Sequence, residues 1–317
     1  DEFAWEPFGP ASAVKLSGSV NQEGQITSWH EEIWGNRHGG RPRGQEIPGL
    51  LAAWHMGNGM QAPLPVDIPL ASGGGSHRNA IPYYELPNCK VVNHSIQSMP
   101  IRSSSLRALG AHMNIFAIES FMDELAAAAN LDPIEFRLRH LKDERAIAVL
   151  KTVSTKAQWQ ADSKGDGTHG YGVAFARYKN IGSYAAVIAE VIVEDTVKVK
   201  KIFAAIDCGL MINPDGVLNQ IEGGMIQAAS WALKEQLQFD RTRITSLNWE
   251  EYPILTFKEI PQLDIELINR PHEPSLGVGE CVTGPVAAAI ANAVNSAMGV
   301  RVRNLPINQA NVIAAMD

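Results

Sequence analysis

Three strand-like runs follow one another with only short polar breaks, "YGVAFARY", "SYAAVIAEVIVE" and "TVKVKKIFAAIDCG", and they dominate the middle of the 317-residue chain. Runs this rich in Val, Ile, Ala and aromatic residues, each bounded by turn residues, read as strands. Directly after them Asn213 and Pro214 supply an N-cap and a first-turn proline, and the spacing predicts a helix running to about Leu233. A chain organised this way must bury a sheet beneath at least one helix.

The flanking sequence adds elements of both kinds. Val14, Leu16, Gly18 and Val20 alternate, turn at "NQEGQ" and resume as "ITSWHEEIWGNRH", a β-hairpin pattern over residues 12–38. Residues 39–80 are rich in Gly and Pro and read as a surface or site-forming loop. "CKVVNHSIQSM" is a further extended run. Ile115, Ile118, Met122, Leu125 and Ala129 recur at helical spacing across 114–129. "LDPIEFRLRHL" starts a second helix, with Asp132 as N-cap, Pro133 in the first turn and Glu135 completing a capping-box pattern. The polar stretch "KAQWQADSKGDGTHG" reads as a linker and puts a subdomain boundary near residue 160, giving subdomains 1–160 and 161–317. Beyond Leu233 the sequence suggests a short strand pair, an edge-like "QLDIELIN", and an Ala-rich helix from Pro285 to Met298 closed by Gly299. Strands and helices mix without strict βαβ alternation, so the fold class is α+β, a mixed α/β assembly of two subdomains.

Composition excludes several classes of function. A formal net charge of −7 with dispersed Lys and Arg argues against a nucleic-acid partner, which needs a basic face. No apolar run approaches the roughly 20 residues of a membrane span, so the chain reads as soluble, in cytoplasm or periplasm. Cys89, Cys208 and Cys281 are too scattered to spell a disulfide framework, a metal site or an iron–sulfur cluster. "HEEIW" lacks the second histidine of a zinc-protease helix, because position 34 is Trp34. "SGGGSHRN" lacks the ending of a phosphate loop, and no GxSxG elbow occurs, which leaves a metal-free hydrolase without a nucleophile.

Two places carry chemistry. Gln220, Gly223 and Gln227 share one face of the predicted helix, a strip of amide, glycine and amide that lets a flat polar ring approach and be hydrogen-bonded. The same strip is equally read as close helix packing through Gly223 and Gly224, with the glutamines at the solvent margin. In "EPSLGVGECVTGP", Glu280 stands behind small residues and ahead of a helix start. Burial there would disfavour the charged form and suit the acid to proton abstraction, whereas an exposed turn glutamate is the plainer alternative.

Four ordered blocks then add a family resemblance: "RSSSLRALGAHMNIFAIESFMDELAAAANLDPIEFRLRHL", "GYGVAFARYKNIGSYAAVIAEV", "AAIDCGLMINPDGVLNQIEGGMIQAASWALKE" and "LGVGECVTGPVAAAIANAVNSAMGVRVRNLPI". Together they resemble the molybdopterin-binding large subunit of the molybdenum hydroxylases, the xanthine dehydrogenase and aldehyde oxidase family, in its bacterial branch with isoquinoline oxidoreductase-like and aldehyde-oxidising members. The resemblance implies that Glu280 is the active-site base in hydroxylating an aldehyde or aromatic N-heterocycle carbon with water-derived oxygen. It implies that Gln220 contacts the pterin, that Gly277, Val278 and Gly279 supply backbone contacts beside the metal, and that Arg107 and Ala108 line the molybdenum site with Leu109 in the substrate pocket. No side chain would ligate the metal, which the pterin dithiolene holds.

The implied cofactor is molybdopterin, with its cytosine dinucleotide form as one variant. The implied partners are the other half of the molybdopterin-binding domain or subunit, a [2Fe-2S] subunit, and a FAD or cytochrome subunit. Departures from the family pattern are Cys281 where proline is common and Leu109 where purine-oxidising relatives place Phe; the family's Gly-Gln-Gly cofactor loop is missing. The start "DEFAWEPF", without Met, reads as the middle of a larger polypeptide. A non-catalytic structural partner of such a complex is the alternative reading.

Overall fold

The computed structural model describes residues 8–40, 56–57, 66–161 and 165–316. Much of the Gly/Pro-rich stretch of 39–80 and part of the 156–170 linker therefore lie outside the described residues. The hairpin forms as its alternation dictates: β1 (Ser12–Val20) pairs antiparallel with β2 (Ile26–Asn36) around a turn in which Gly24 takes φ +75°. β3 (Cys89–Ile96) joins β2 in parallel, completing a three-stranded sheet.

The three apolar runs become β4 (His169–Arg177), β5 (Tyr184–Val193) and β6 (Val197–Asp207), an antiparallel series to which β7 (Gln262–Ile268) adds in parallel at the edge. β5 is apolar without alternation because both faces of this sheet are covered. On one face Ala174, Val187 and Ala204 pack with α5 (Thr283–Met298) and α4 (Pro214–Leu233). On the other, Val173, Phe175, Ile188 and Phe203 pack with α2 (Pro133–Arg139), α3 (Glu144–Lys156) and the C-terminal half of α1 (Ala111–Ala128).

Glycine sets how close α5 can come. A Cβ on Gly172 would stand 2.1 Å from the Ala293 nitrogen, and one on Gly170 would stand 2.2 Å from the Ala293 oxygen. With an Ala-rich face on the helix and glycines on β4, the two backbones nearly touch. A buried ion pair locks the remaining elements together. Arg137, with no solvent exposure, donates from Nε to Glu119 Oε2 at 2.8 Å; Glu119 also accepts from the Tyr84 hydroxyl at 2.7 Å and the Phe175 N–H at 2.8 Å. One carboxylate thus joins α1, α2 and β4.

Helix caps follow the sequence closely. Asp132 accepts from the Ile134 and Glu135 nitrogens, and Asn213 from the Gly216 nitrogen. The Glu135 carboxylate pairs with Arg139. Three expectations need correction. α3 was not expected; Asp143 caps it, and Ala146, Val149, Leu150 and Val153 form its buried face. The strand pair after α4 reduces to a single bridge between Phe239 and Ile244, in a stretch whose polar residues satisfy one another locally. Last, α5 begins at Thr283 and a short α6 (Gln309–Ala314), capped by Asn308, follows it.

Candidate active site

Three principal stretches, joined by Arg78 and Tyr178 from two further loops, meet where β4 ends and where α1 and α5 begin. The first is the loop ahead of α1. Ala108 and Leu109 both take left-handed backbone conformations, with φ of +72° and +52°, a costly geometry for residues with a Cβ. That turn delivers the Ala108 N–H to Glu280 Oε1 at 3.0 Å. Arg107 then reaches across the site. Its Nε donates to the Gly279 oxygen at 2.6 Å, Nη1 to Gln227 Oε1 at 3.1 Å, and Nη2 to both the Gln220 oxygen at 3.1 Å and Gln220 Oε1 at 3.3 Å. Sequence reasoning assigned a lining role to this loop's backbone; its guanidinium proves to be the tie between α4 and the Glu280 loop.

The second stretch is the Glu280 loop itself. Ser183 Oγ donates to the Gly277 oxygen at 2.7 Å, and the Cys281 thiol approaches the Val278 oxygen at 3.5 Å. With the Gly279 oxygen held by Arg107, all three carbonyls are taken. The N–H groups of Gly277, Val278 and Gly279 have no internal acceptor among the described residues. Burial pushes the Cys281 thiol up to about 12, so Cys281 is a packed, unreactive side chain where the family commonly has proline.

Of the two readings left open for Glu280, a buried acid and an exposed turn residue, neither holds in full. The Glu280 side chain is 31% exposed and richly served by donors. Besides the Ala108 N–H, the Tyr178 hydroxyl donates to its Oε2, and Arg78 Nη1 lies 3.8 Å from the same oxygen. Arg78, only 5% exposed, also donates to the Tyr178 oxygen at 2.6 Å. Neither Arg78 nor Tyr178 was singled out from sequence. Tyr178 ends a strand as an ordinary aromatic, and Arg78 sits in a loop-rich stretch, so no local pattern marks either.

The third stretch is α4. Gly224 has a packing reason, since a Cβ there would stand 2.7 Å from Val282 Cγ2. Gly223 has none: it faces open space, as does Gly277, and a Cβ on Gly279 would meet only Gln220 Oε1 at 3.8 Å. A mid-helix glycine without a close neighbour gives up roughly 0.5–1 kcal/mol relative to alanine. The amide oxygens of Gln220 and Gln227 are occupied by Arg107, which leaves their amide nitrogens without an internal acceptor among the described residues. The result is an open strip bearing two amide donors. The close-packing reading thus accounts for Gly224 and not for the rest.

Leu109 lines a cleft of about 1100 Å³ that also runs past Arg107, His112, Phe116 and Trp231. Glu280 is not on its wall. His112 donates from Nδ1 to the Thr283 oxygen at 3.1 Å and packs edge-on against Trp231; burial pushes its imidazole down to about 4, so it is neutral near pH 7. His38, also on the cleft and 1% exposed, is likewise pushed down to about 4 by burial, and neither ring nitrogen has a hydrogen-bond partner among the described residues.

Comparison with known proteins identifies the family of the chain. Two molybdopterin cofactor-binding domain families match the chain, over residues 12–141 and 103–261, and between them take in Arg78, Arg107, Tyr178 and the α4 strip. The chain belongs to the molybdopterin cofactor-binding domain family. This molybdopterin-binding chain is 36% identical to a nicotinate dehydrogenase subunit of Pseudomonas putida over 99% of its own length and 26% of that protein. It is 33% identical to the beta chain of isoquinoline 1-oxidoreductase from Brevundimonas diminuta over 65% of its own length and 26% of the relative. It therefore spans about a quarter of either relative. Its fold matches the aldehyde oxidoreductase of Desulfovibrio gigas at TM-score 0.73 and 16% identity, over 97% of this chain and 49% of that one. Quinoline 2-oxidoreductase from Pseudomonas putida 86 matches at TM-score 0.74 and 14% identity, over 99% and 63%.

The α4 strip and the Glu280 loop fit a pterin chemically. Open glycines leave room for a flat ring, and the free amide and backbone donors match ring acceptors. Among the described residues no helix is long and apolar enough to cross a membrane, and no cluster of His, Cys, Asp or Glu is arranged to hold a metal by itself.

Proposed function

We propose that this chain is the part of a molybdenum hydroxylase that holds the cofactor and supplies the acid–base group, working with further segments or subunits. The reaction is hydroxylation of an aldehyde or aromatic N-heterocycle carbon: the substrate C–H becomes C–OH with water as the oxygen source, and two protons and two electrons leave. Aromatic N-heterocycles are favoured by the names of the relatives, which act on nicotinate, isoquinoline and quinoline. The observation that carries the reading is Glu280, solvent-accessible, oriented by two donors, and set beside the open amide and glycine strip of α4.

When bound, the cofactor supplies the oxygen-transfer and two-electron chemistry. Gln220 and Gln227 hold its ring system through their amide nitrogens, and Gly277, Val278 and Gly279 offer backbone N–H donors nearby. Glu280 takes a proton on a carboxylate oxygen that keeps a lone pair beyond its bond to Ala108 or Tyr178. Residues 1–160 contribute Arg107 and Ala108, and residues 161–317 contribute Gln220 and Glu280, so the site forms where the two subdomains meet. A [2Fe-2S] partner, with a FAD or cytochrome subunit beyond it, would take up the electrons.

The test is Glu280→Gln in the complete enzyme complex. Packing and cofactor content should persist while reduction of the enzyme by substrate slows by about 10²–10⁴-fold, the worth of a positioned base. A wild-type rate of reduction in that variant would return Glu280 to a structural turn residue.

A further inference from the structure

We infer that Tyr178 is a positioning residue that sets the orientation of Glu280, an inference resting on the reading of Glu280 as the base. Its hydroxyl hydrogen goes to Glu280 Oε2, and its oxygen accepts from Arg78 Nη1 at 2.6 Å. Arg78 cannot swing away, because its Nε donates to the Gly73 and Gly74 oxygens at 3.0 Å each. The guanidinium thus fixes the hydroxyl rotor, so Tyr178 presents a hydrogen to the carboxylate.

The tyrosine is held in place from both sides. Its N–H donates to the Ser183 oxygen at 2.9 Å. Immediately after it, Lys179 and Asn180 take left-handed conformations, with φ of +56° and +60°, and the Lys179 N–H donates to Asn79 Oδ1 at 2.8 Å. Asn79 also donates to the Arg177 oxygen at 2.8 Å, clamping the turn on either side of the ring. Burial and the neighbouring Glu280 raise the phenol well above its ordinary range, so it remains a donor throughout the working pH range. The other charges facing this pair are Lys179, 5.5 Å from the Tyr178 ring centre, and Arg107, bonded to the Gly279 oxygen.

The chemical consequence is specific. With one oxygen of Glu280 bonded to the Ala108 N–H and the other to the Tyr178 hydroxyl, the carboxylate has a fixed direction; without the hydroxyl it keeps one of these donors and can turn about that bond. In the holoenzyme complex, Tyr178→Phe should lower kcat by roughly tenfold or more, with KM and cofactor content unchanged. A ring-fluorinated tyrosine at 178, which keeps a donor of the same shape, should restore kcat. Independently of turnover, the carboxylate infrared band that disappears in Glu280→Gln should shift in frequency one way in Tyr178→Phe and the opposite way in the fluorinated enzyme. Wild-type kcat and an unshifted band in Tyr178→Phe would overturn the inference while leaving Glu280 as the base. Wild-type turnover in Glu280→Gln would instead remove the base assignment itself.

Discussion

Arg107 and Gly279 lie 172 residues apart in sequence and 2.6 Å apart in space, joined by a bond from a guanidinium nitrogen to a peptide oxygen. The same side chain holds the oxygens of Gln220 and Gln227, so one cation fixes the loop bearing Glu280 relative to the helix bearing the amides.

Replacing that cation should loosen the loop before it unfolds the protein. For Arg107→Met, loss of a charge-assisted bond worth about 2 kcal/mol predicts roughly 30-fold faster amide exchange at Leu276 and Thr283, the hydrogen-bonded N–H groups that flank the loop, with exchange in β5 unaffected. Unchanged exchange at both groups would show that Arg107 does not hold the loop.

Gln220→Ala should weaken cofactor retention more than folding. Alanine is the better helix former, whereas a ring acceptor deprived of its amide donor loses about 1–3 kcal/mol. Molybdenum and pterin at wild-type stoichiometry after long dialysis of the variant complex would contradict this.

Glu119→Ala should cost about 3–5 kcal/mol, because it leaves the fully buried Arg137 with Asp123, at 3.5 Å, as its one carboxylate among the described residues. Glu135→Ala, which breaks the exposed pair with Arg139, should cost no more than about 0.5 kcal/mol. Equal losses in denaturant unfolding of the two variants would mean that the buried network contributes nothing special.

Stability should also fall on the alkaline side for an identifiable reason. Glu31 is fully buried in β2, and burial pushes its carboxyl up to about 8 from 4.5, with Trp29 Nε1 as a partial offset at 3.3 Å. A raised folded-state value means that the stabilisation is complete below about 4.5 and lost as pH climbs to about 8. His38 and His112, depressed to about 4 from 6.5, act in the opposite sense, adding stability as pH rises to about 6.5. The clean window is therefore pH 6.5 to 8, across which wild type should lose about 2 kcal/mol and Glu31→Gln almost none. Parallel slopes for the two proteins would assign the loss elsewhere.

Much of this architecture is written locally in the sequence. Asp132-Pro133 and Asn213-Pro214 start their helices because an acceptor side chain and a fixed φ act within a few residues, and β5 is legible because both its faces are apolar. The missed α3 had a signal, Asp143 ahead of Ala146, Val149, Leu150 and Val153, hidden by the polar residues between them. The site is legible only in part. Glu280 and Gln220 belong to recognisable blocks, whereas Arg78 and Tyr178 matter only through a contact spanning 100 residues, which no local pattern encodes.

The partner of Glu280 at Ala108 is likewise 172 residues upstream, and the helix that follows the acid, α5, packs between α1 and β4. During synthesis the ribosome releases α5 after every strand of the larger sheet, so the carboxylate has no seat until that sheet already exists. A translation product stopped short of α5 would expose the apolar face of β4 and β5 and leave the loop of the acid without the helix that anchors it, which makes truncated chains ready substrates for chaperones and proteases.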